Sequence, residues 1–285
     1  MENTTVQPGS IVVGVDGSTA SDRALYWAVD QALLENRSLT LAHGVGPHSI
    51  IIDQAGVDRL AILDAMREDG HELLERARTL ALGKAPELVV DMVLRMQDAR
   101  IVLLELSHQA SMLVLGSHGR GPVRSLLLGS VGLAVSEQAS CPVVVLRPEH
   151  VGVVRRGVLV GIDGTPESAG TLEVAYRLAS LRGLPLEVMH CYWDVRGYDL
   201  ENGVEEERLL VSETLSGMGE KYPEVHVTRT ISRGLPDKCL LEAARRMDAV
   251  VVGSRPKTFA ENVFFGSVSR GVLEHADSVV VVVPQ

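Results

Sequence analysis

Two stretches of the chain repeat one another. Residues 11–45, IVVGVDGSTASDRALYWAVDQALLENRSLTLAHGV, align without a gap on 158–192, VLVGIDGTPESAGTLEVAYRLASLRGLPLEVMHCY, which pairs Gly14 with Gly161, Asp16 with Asp163, Ser18 with Thr165 and His43 with His190. Further on, SMLVLGSHGRG (111–121) matches DAVVVGSRPKT (248–258), and LGSVGLAVSEQASCPVVVL (128–146) matches FGSVSRGVLEHADSVVVVV (265–283). The middle of the second copy is about ten residues shorter. Each copy is long enough to own a hydrophobic core, so the repeat is a duplicated domain and not a solenoid of small units. The expected domains are 1–148 and 155–285, joined through the polar, proline-bearing RPEHVGVVRRG at 147–157.

Inside each copy, apolar β-branched runs alternate with stretches of helical period. In the first, strands are expected near 11–15, 38–45, 88–94, 112–116 and 142–146, and helices near 20–35, 59–81, 98–108 and 130–138. Ala24, Ala28 and Ala32 beside Leu25, Val29 and Leu33 form an apolar stripe on the first helix. Its counterpart opens Thr165-Pro166, an N-cap followed by proline at the first helical position. EDGHELLERARTLA reads as a sheet-covering helix. Alternating strand and helix calls for right-handed crossovers. The expected fold class is α/β: two tandem doubly wound, mostly parallel five-stranded sheets with helices on both faces.

Composition agrees with this and narrows the function. Hydrophobic residues make up 46% and aromatics 4%, so the core is aliphatic, as buried parallel strands require. A net charge of −10 argues against nucleic acid or an anionic membrane as partner, because both demand basic patches. No stretch reaches the roughly 18 apolar residues of a membrane span, the start MENTTVQPGS lacks the features of a signal peptide, and SVVVVVP reads as a buried strand. Cys141, Cys191 and Cys239 have neither CxxC nor zinc-type spacing, so no disulfide framework or metal site is expected. A reducing cytoplasm fits.

The chemistry lies in one loop. After MLVLG the chain runs Gly116-x2-Gly119-x9-Gly129-Ser130. Glycines at 116 and 119 let a tight loop bring its backbone close to a ligand. Gly129, Ser130 and Val131 then begin a helix, whose unpaired amides and positive dipole end favour phosphate. No Gly-Lys-Ser/Thr and no GxGxxG after the first strand is present, which sets aside the Walker A and Rossmann fingerprints. The plain structural alternative is two glycines ending a strand and a Gly-Ser capping a helix.

This spacing, set between a hydrophobic strand and a helix leading to CPVVVL, resembles the ATP-binding signature of the universal stress protein family, and IVVGVDGS resembles that family's opening. The resemblance covers nearly the whole chain, twice. It implies that Asp16 and the backbone near Gly14 and Gly44 lie by the adenosine. It implies also that Gly116 and Gly119, with Ser117 between them, shape the ribose and phosphate side, and that Gly129, Ser130 and Val131 meet the outer phosphates. The plain reading of Asp16 is a turn or capping aspartate. His118, Arg120 and Arg124 either offset phosphate charge or form a solvated loop. In the second copy the counterparts are Gly161, Asp163, Gly253, Ser254, Arg255, Gly266, Ser267 and Val268. There Pro256 replaces a loop glycine, and proline has no amide and a fixed φ. Arg255 and Lys257 compensate in part while Glu261 opposes them, so weaker or absent ATP binding is expected in copy two.

The resemblance implies a cytoplasmic regulatory or stress-response protein with ATP, with or without Mg2+, as its ligand. It implies also pairing through the terminal strands VVVLRP and VVVVVP, as a homodimer or as a pseudo-dimer of the two copies. No catalytic residue is assigned, since no general base, catalytic lysine or paired carboxylates recur near the loop. A slow ATPase or nucleotidyl-transfer enzyme on the same fold, and a nucleotide-free interaction scaffold, stay open as alternatives. His43 and His190 have no metal-spaced companions and read as structural or ligand-lining. Cys141 reads as a small buried residue.

Overall fold

A computed structural model of the chain describes residues 6–46, 59–119, 128–147, 156–192, 200–254 and 266–285. It divides into two compact units, Met1–Leu146 and Arg147–Gln285. Unit 1 runs β1 (Ile11–Gly14), α1 (Thr19–Glu35), β2 (Leu39–Gly44), α2 (Arg59–Lys84), β3 (Val90–Arg95), α3 (Ala99–Ser107), β4 (Met112–Gly116), α4 (Ser130–Gln138) and β5 (Val143–Leu146). Its strands lie in the order β3-β2-β1-β4-β5, all in parallel register. The sequence places all nine elements to within a few residues. Ile11, Val12, Val13, Leu113, Val114, Val144 and Val145 have essentially no exposure. Burial of each contributes about 1.5–3 kcal/mol relative to leaving it in water. α1 packs on β1 and β4 and against α2, while α3 packs on β1 and β2 and against α4.

Unit 2 runs β6 (Val158–Ile162), α5 (Ser168–Arg182), β7 (Leu186–Tyr192), α6 (Leu200–Thr214), α7 (Met218–Lys221), β8 (Val227–Arg233), α8 (Pro236–Ala244), β9 (Ala249–Gly253), α9 (Ser267–His275) and β10 (Val279–Val283). The order β10-β9-β6-β7-β8 is that of unit 1, again fully parallel. The shorter middle of this copy has a visible origin: α6 has 15 residues where α2 has 26.

The two first helices start differently. Ser18 is the N-cap of α1 and its Oγ accepts from the Ser21 amide at 3.1 Å. Ser18→Ala is therefore expected to destabilise unit 1 by about 1 kcal/mol in urea unfolding. Thr165 is not the corresponding cap. Its Oγ1 donates to Asp163 Oδ1 at 2.7 Å, its carbonyl accepts from the Ser168 amide in a turn, and α5 begins only at Ser168. The hydroxyl is engaged by the aspartate, so Pro166 lies in the turn and not at the first helical position.

Among the described residues no helix is long and apolar enough to cross a membrane.

Candidate nucleotide site

In unit 1, β1 and β4 are neighbours whose connections leave toward opposite sides of the sheet. Ligands of open parallel sheets sit beyond the carboxyl ends of the strands at such a point. Gly14 and Gly116 end those two strands, and Gly44 ends β2.

Two of these glycines, Gly44 and Gly116, are demanded by packing against backbone, while Gly14 faces the flexible ends of leucine side chains. A Cβ on Gly116 would lie 2.6 Å from the carbonyl carbon of Ala20, at the start of α1. One on Gly44 would lie 2.6 Å from Ala99 Cα, at the start of α3, and one on Gly14 would lie 2.6 Å from Leu115 Cδ2. At Gly44 and Gly116 strand end and helix start thus approach backbone to backbone.

Asp16 follows β1. Its Oδ1 accepts the Ser18 amide at 2.9 Å, an Asx turn that the left-handed Gly17 (φ +75°) completes. Its Oδ2 faces the loop after β4, where a Cβ on Gly119 would lie 2.6 Å from it. The turn role and proximity to the glycine loop coexist in one carboxylate. Asp163 repeats the turn, with Oδ1 accepting from the Thr165 amide, Thr165 Oγ1 and Ser168 Oγ.

The loop is anchored at both ends. The Ser117 amide donates to the Leu146 carbonyl at 3.0 Å, and the Gly129 amide donates to the Ser117 carbonyl at 2.8 Å. The fully buried Ser117 also bonds His118 Nδ1 through its hydroxyl at 2.9 Å. These bonds draw the start of α4 back to the end of β4. Gly129 is the N-cap of α4 with no side-chain cap, and the first turn carries no acidic residue. Ser130 is exposed and Val131 half-buried. The first-turn amides therefore have no side-chain cap among the described residues. Arg120 and Arg124 lie outside the described residues.

Unit 2 repeats the two backbone bonds that anchor the loop. The Ser254 amide donates to Val283 O, the Gly266 amide donates to Ser254 O, and Gly266 caps α9 with backbone alone. Here the cleft is a cavity of about 270 Å³ lined by Gly161, Asp163, Gly253, Gly266, Ser267 and Val268 among others. Ser254 is buried and is not part of the lining. Arg255, Pro256, Lys257 and Glu261 lie outside the described residues. Sequence reasoning missed Gln285, which also lines the cavity. Its amide nitrogen lies 2.2 Å from where a Cβ on Gly253 would be, and donates to Thr171 Oγ1 at 3.1 Å. It missed as well Pro236 and Leu240 of α8, which lie outside the repeated blocks, and Cys191, which the repeat itself aligns with Gly44.

The two histidines have matching positions. His43 Nδ1 bonds Val15 O at 2.6 Å, and His190 Nδ1 bonds Ile162 O at 3.0 Å, at equivalent points of the repeat. The imidazoles brace the ends of β1 and β6. His190, 1% exposed, also meets Glu207 Oε2 through Nε2 at 2.7 Å.

A family model described as the universal stress protein family matches residues 9–147 and again 155–284. The chain belongs to the universal stress protein family. A universal stress protein of Mycolicibacterium smegmatis is 35% identical over 283 residues, covering 96% of each chain. Another, Rv2005c of Mycobacterium tuberculosis, is 34% identical over 285 residues, again covering 96% of each. A solved universal stress protein from Archaeoglobus fulgidus, 20% identical, shares the fold with a TM-score of 0.69 over 98% of this chain and 97% of its own. Both copies of the universal stress protein unit are thus carried in one chain, as in relatives of the same length.

Proposed function

We propose that this universal stress protein is an adenine-nucleotide-binding regulatory protein that takes ATP in the cleft of unit 1 and, more weakly, in that of unit 2. The observation that carries the reading is the cavity of about 270 Å³ at the carboxyl ends of β6 and β9. It is bounded on one side by an aspartate turn and on the other by a helix start capped by glycine alone, and unit 1 builds the same two boundaries. Helix amides without side-chain acceptors suit phosphate. Asp16 and Asp163, at the strand ends, suit ribose hydroxyls as donors. Among the described residues no group of three or more His, Cys, Asp or Glu is placed to hold a metal ion. Mg2+ would then enter bound to the phosphates of ATP.

The inequality of the sites follows from Pro256, which removes an amide from the loop, and from Gln285, whose side chain occupies part of the second cavity wall. Gln285→Ala is expected to raise ATP affinity in unit 2 several-fold, read by calorimetric titration. The reading as a whole is tested by denaturing the purified protein, identifying any released nucleotide by chromatography, and titrating ATP into the nucleotide-free chain. Saturable ATP binding is expected. Absence of both released nucleotide and binding would overturn it in favour of a nucleotide-free scaffold.

A further inference from the structure

Cys191 and Cys239 are far apart in sequence and adjacent in unit 2. Cys191 sits on β7 in register with Ser232 of β8. The Ser232 hydroxyl donates to Cys239 Sγ at 3.5 Å, and a Cβ on Gly234 would lie 2.9 Å from the same sulfur. Cys239 Sγ therefore hangs from α8 over the ends of β7 and β8, beside Ser232 and hence beside its register partner Cys191. Both cysteines are reduced and only partly buried. Cys191 also lines the cavity, which offers a small oxidant a route to the pair.

Neither cysteine belongs to the shared design of the repeat. Gly44 stands in unit 1 where Cys191 stands in unit 2. Cys239 is the fourth residue of the nine-residue α8, and the fourth residue of the nine-residue α3 is Val102. A glycine and a valine satisfy the packing of these positions in unit 1, so the thiol pair in unit 2 is an addition that the fold does not require.

We propose that Cys191 and Cys239 form a redox-modification site, in which hydrogen peroxide joins them in a reversible intramolecular disulfide. Cys239 is oxidised first. Its thiolate attacks one peroxide oxygen, the O–O bond breaks, and the hydroxide released takes up a proton as water, leaving a sulfenic acid. The Cys191 sulfur then attacks the sulfenic sulfur, the S–S bond forms, and the departing hydroxide takes the Cys191 proton as a second water. Each sulfur loses one electron and one peroxide becomes two waters. Burial, and then the neighbouring Cys239, push the Cys191 thiol up to about 12, which disfavours it as the attacking partner. With Ser232 contacting Cys239 and standing in register with Cys191, the two sulfurs have only a short path to the bond length of about 2.05 Å. Because Cys191 lines the cavity proposed to take nucleotide in unit 2, the oxidation is read on the nucleotide-free protein.

Cys141, buried at the start of β5 with its thiol pushed by burial to about 12, serves as the internal control. The reduced full-length protein is treated with a small excess of hydrogen peroxide, quenched with catalase, denatured and alkylated with N-ethylmaleimide for mass spectrometry. Alkylated thiols are expected to fall from three to one, with the remaining label on Cys141, a linked peptide pair containing Cys191 and Cys239, and full recovery in dithiothreitol. Cys191→Ser and Cys239→Ser, with circular dichroism verifying their fold, should each abolish the link. Phenylarsine oxide, which bridges adjacent thiols, should bind the reduced wild type one to one and neither variant. Three labels after peroxide, separate oxidation of each sulfur to sulfinic acid, a link through Cys141, or failure of the arsenical to bind would overturn the proposal.

Discussion

Ser130→Asp is expected to lower the ATP affinity of unit 1 about 10- to 100-fold while leaving the unit at least as stable as wild type. The binding loss comes from placing a carboxylate where phosphate oxygens are held by helix amides. Losing charge-assisted hydrogen bonds worth about 1.5–3 kcal/mol corresponds to that range. The preserved stability follows from the same electrostatics with the sign reversed, since an acidic side chain in a first turn favours the helix by about 0.3–1 kcal/mol. α4 begins with no acidic residue and no side-chain cap, and Ser130 is exposed, so the substitution displaces no side-chain cap among the described residues. Calorimetric titration and urea unfolding on the same preparation read the two effects separately. Equal affinity in variant and wild type would remove the helix start from the site.

Gly116→Ala is expected to cost unit 1 about 1–3 kcal/mol, because the added methyl would meet backbone atoms of Ala20 that no rotamer change can move aside. Gly83→Ala, in the same unit, is expected to do the reverse. Gly83 is the last residue but one of α2, with nothing within 4 Å of an added Cβ, so alanine there gains up to about 0.5 kcal/mol through helix propensity, less than in a helix interior. Urea unfolding of the pair distinguishes a glycine needed for close approach from one the helix merely tolerates. Similar shifts in both variants would contradict the packing described for the end of β4.

The architecture was legible because the strands are continuous apolar runs, such as the five valines of β10, and because each half reports on the other. Repetition also pointed to the candidate site. Asp16 and Asp163 share an offset with Gly14 and Gly161, and the structure gives both aspartates the same turn. What the sequence hid is tertiary. Gly116 reads as a loop glycine, yet its lack of a side chain is required by α1, a helix nearly a hundred residues earlier in the chain. Thr165-Pro166 has the form of a helix start, but local propensity yields to the hydrogen bond between Thr165 and Asp163. Gln285 carries no pattern, and only the fold brings it to Gly253 and Thr171. Cys191 and Cys239 share no spacing signal because their meeting depends on how α8 packs over β7.

The central claim is that ATP is held where α4 returns to the ends of β1 and β4. Amide hydrogen exchange followed by mass spectrometry, with and without saturating ATP, tests it most directly. Slowed exchange at Ser117–Gly119 and at Ser130–Gly132, with a smaller effect at Ser267–Ser269, is the predicted result. ATP binding that leaves the start of α4 unprotected, or protects only segments remote from Asp16 and Gly129, would contradict it.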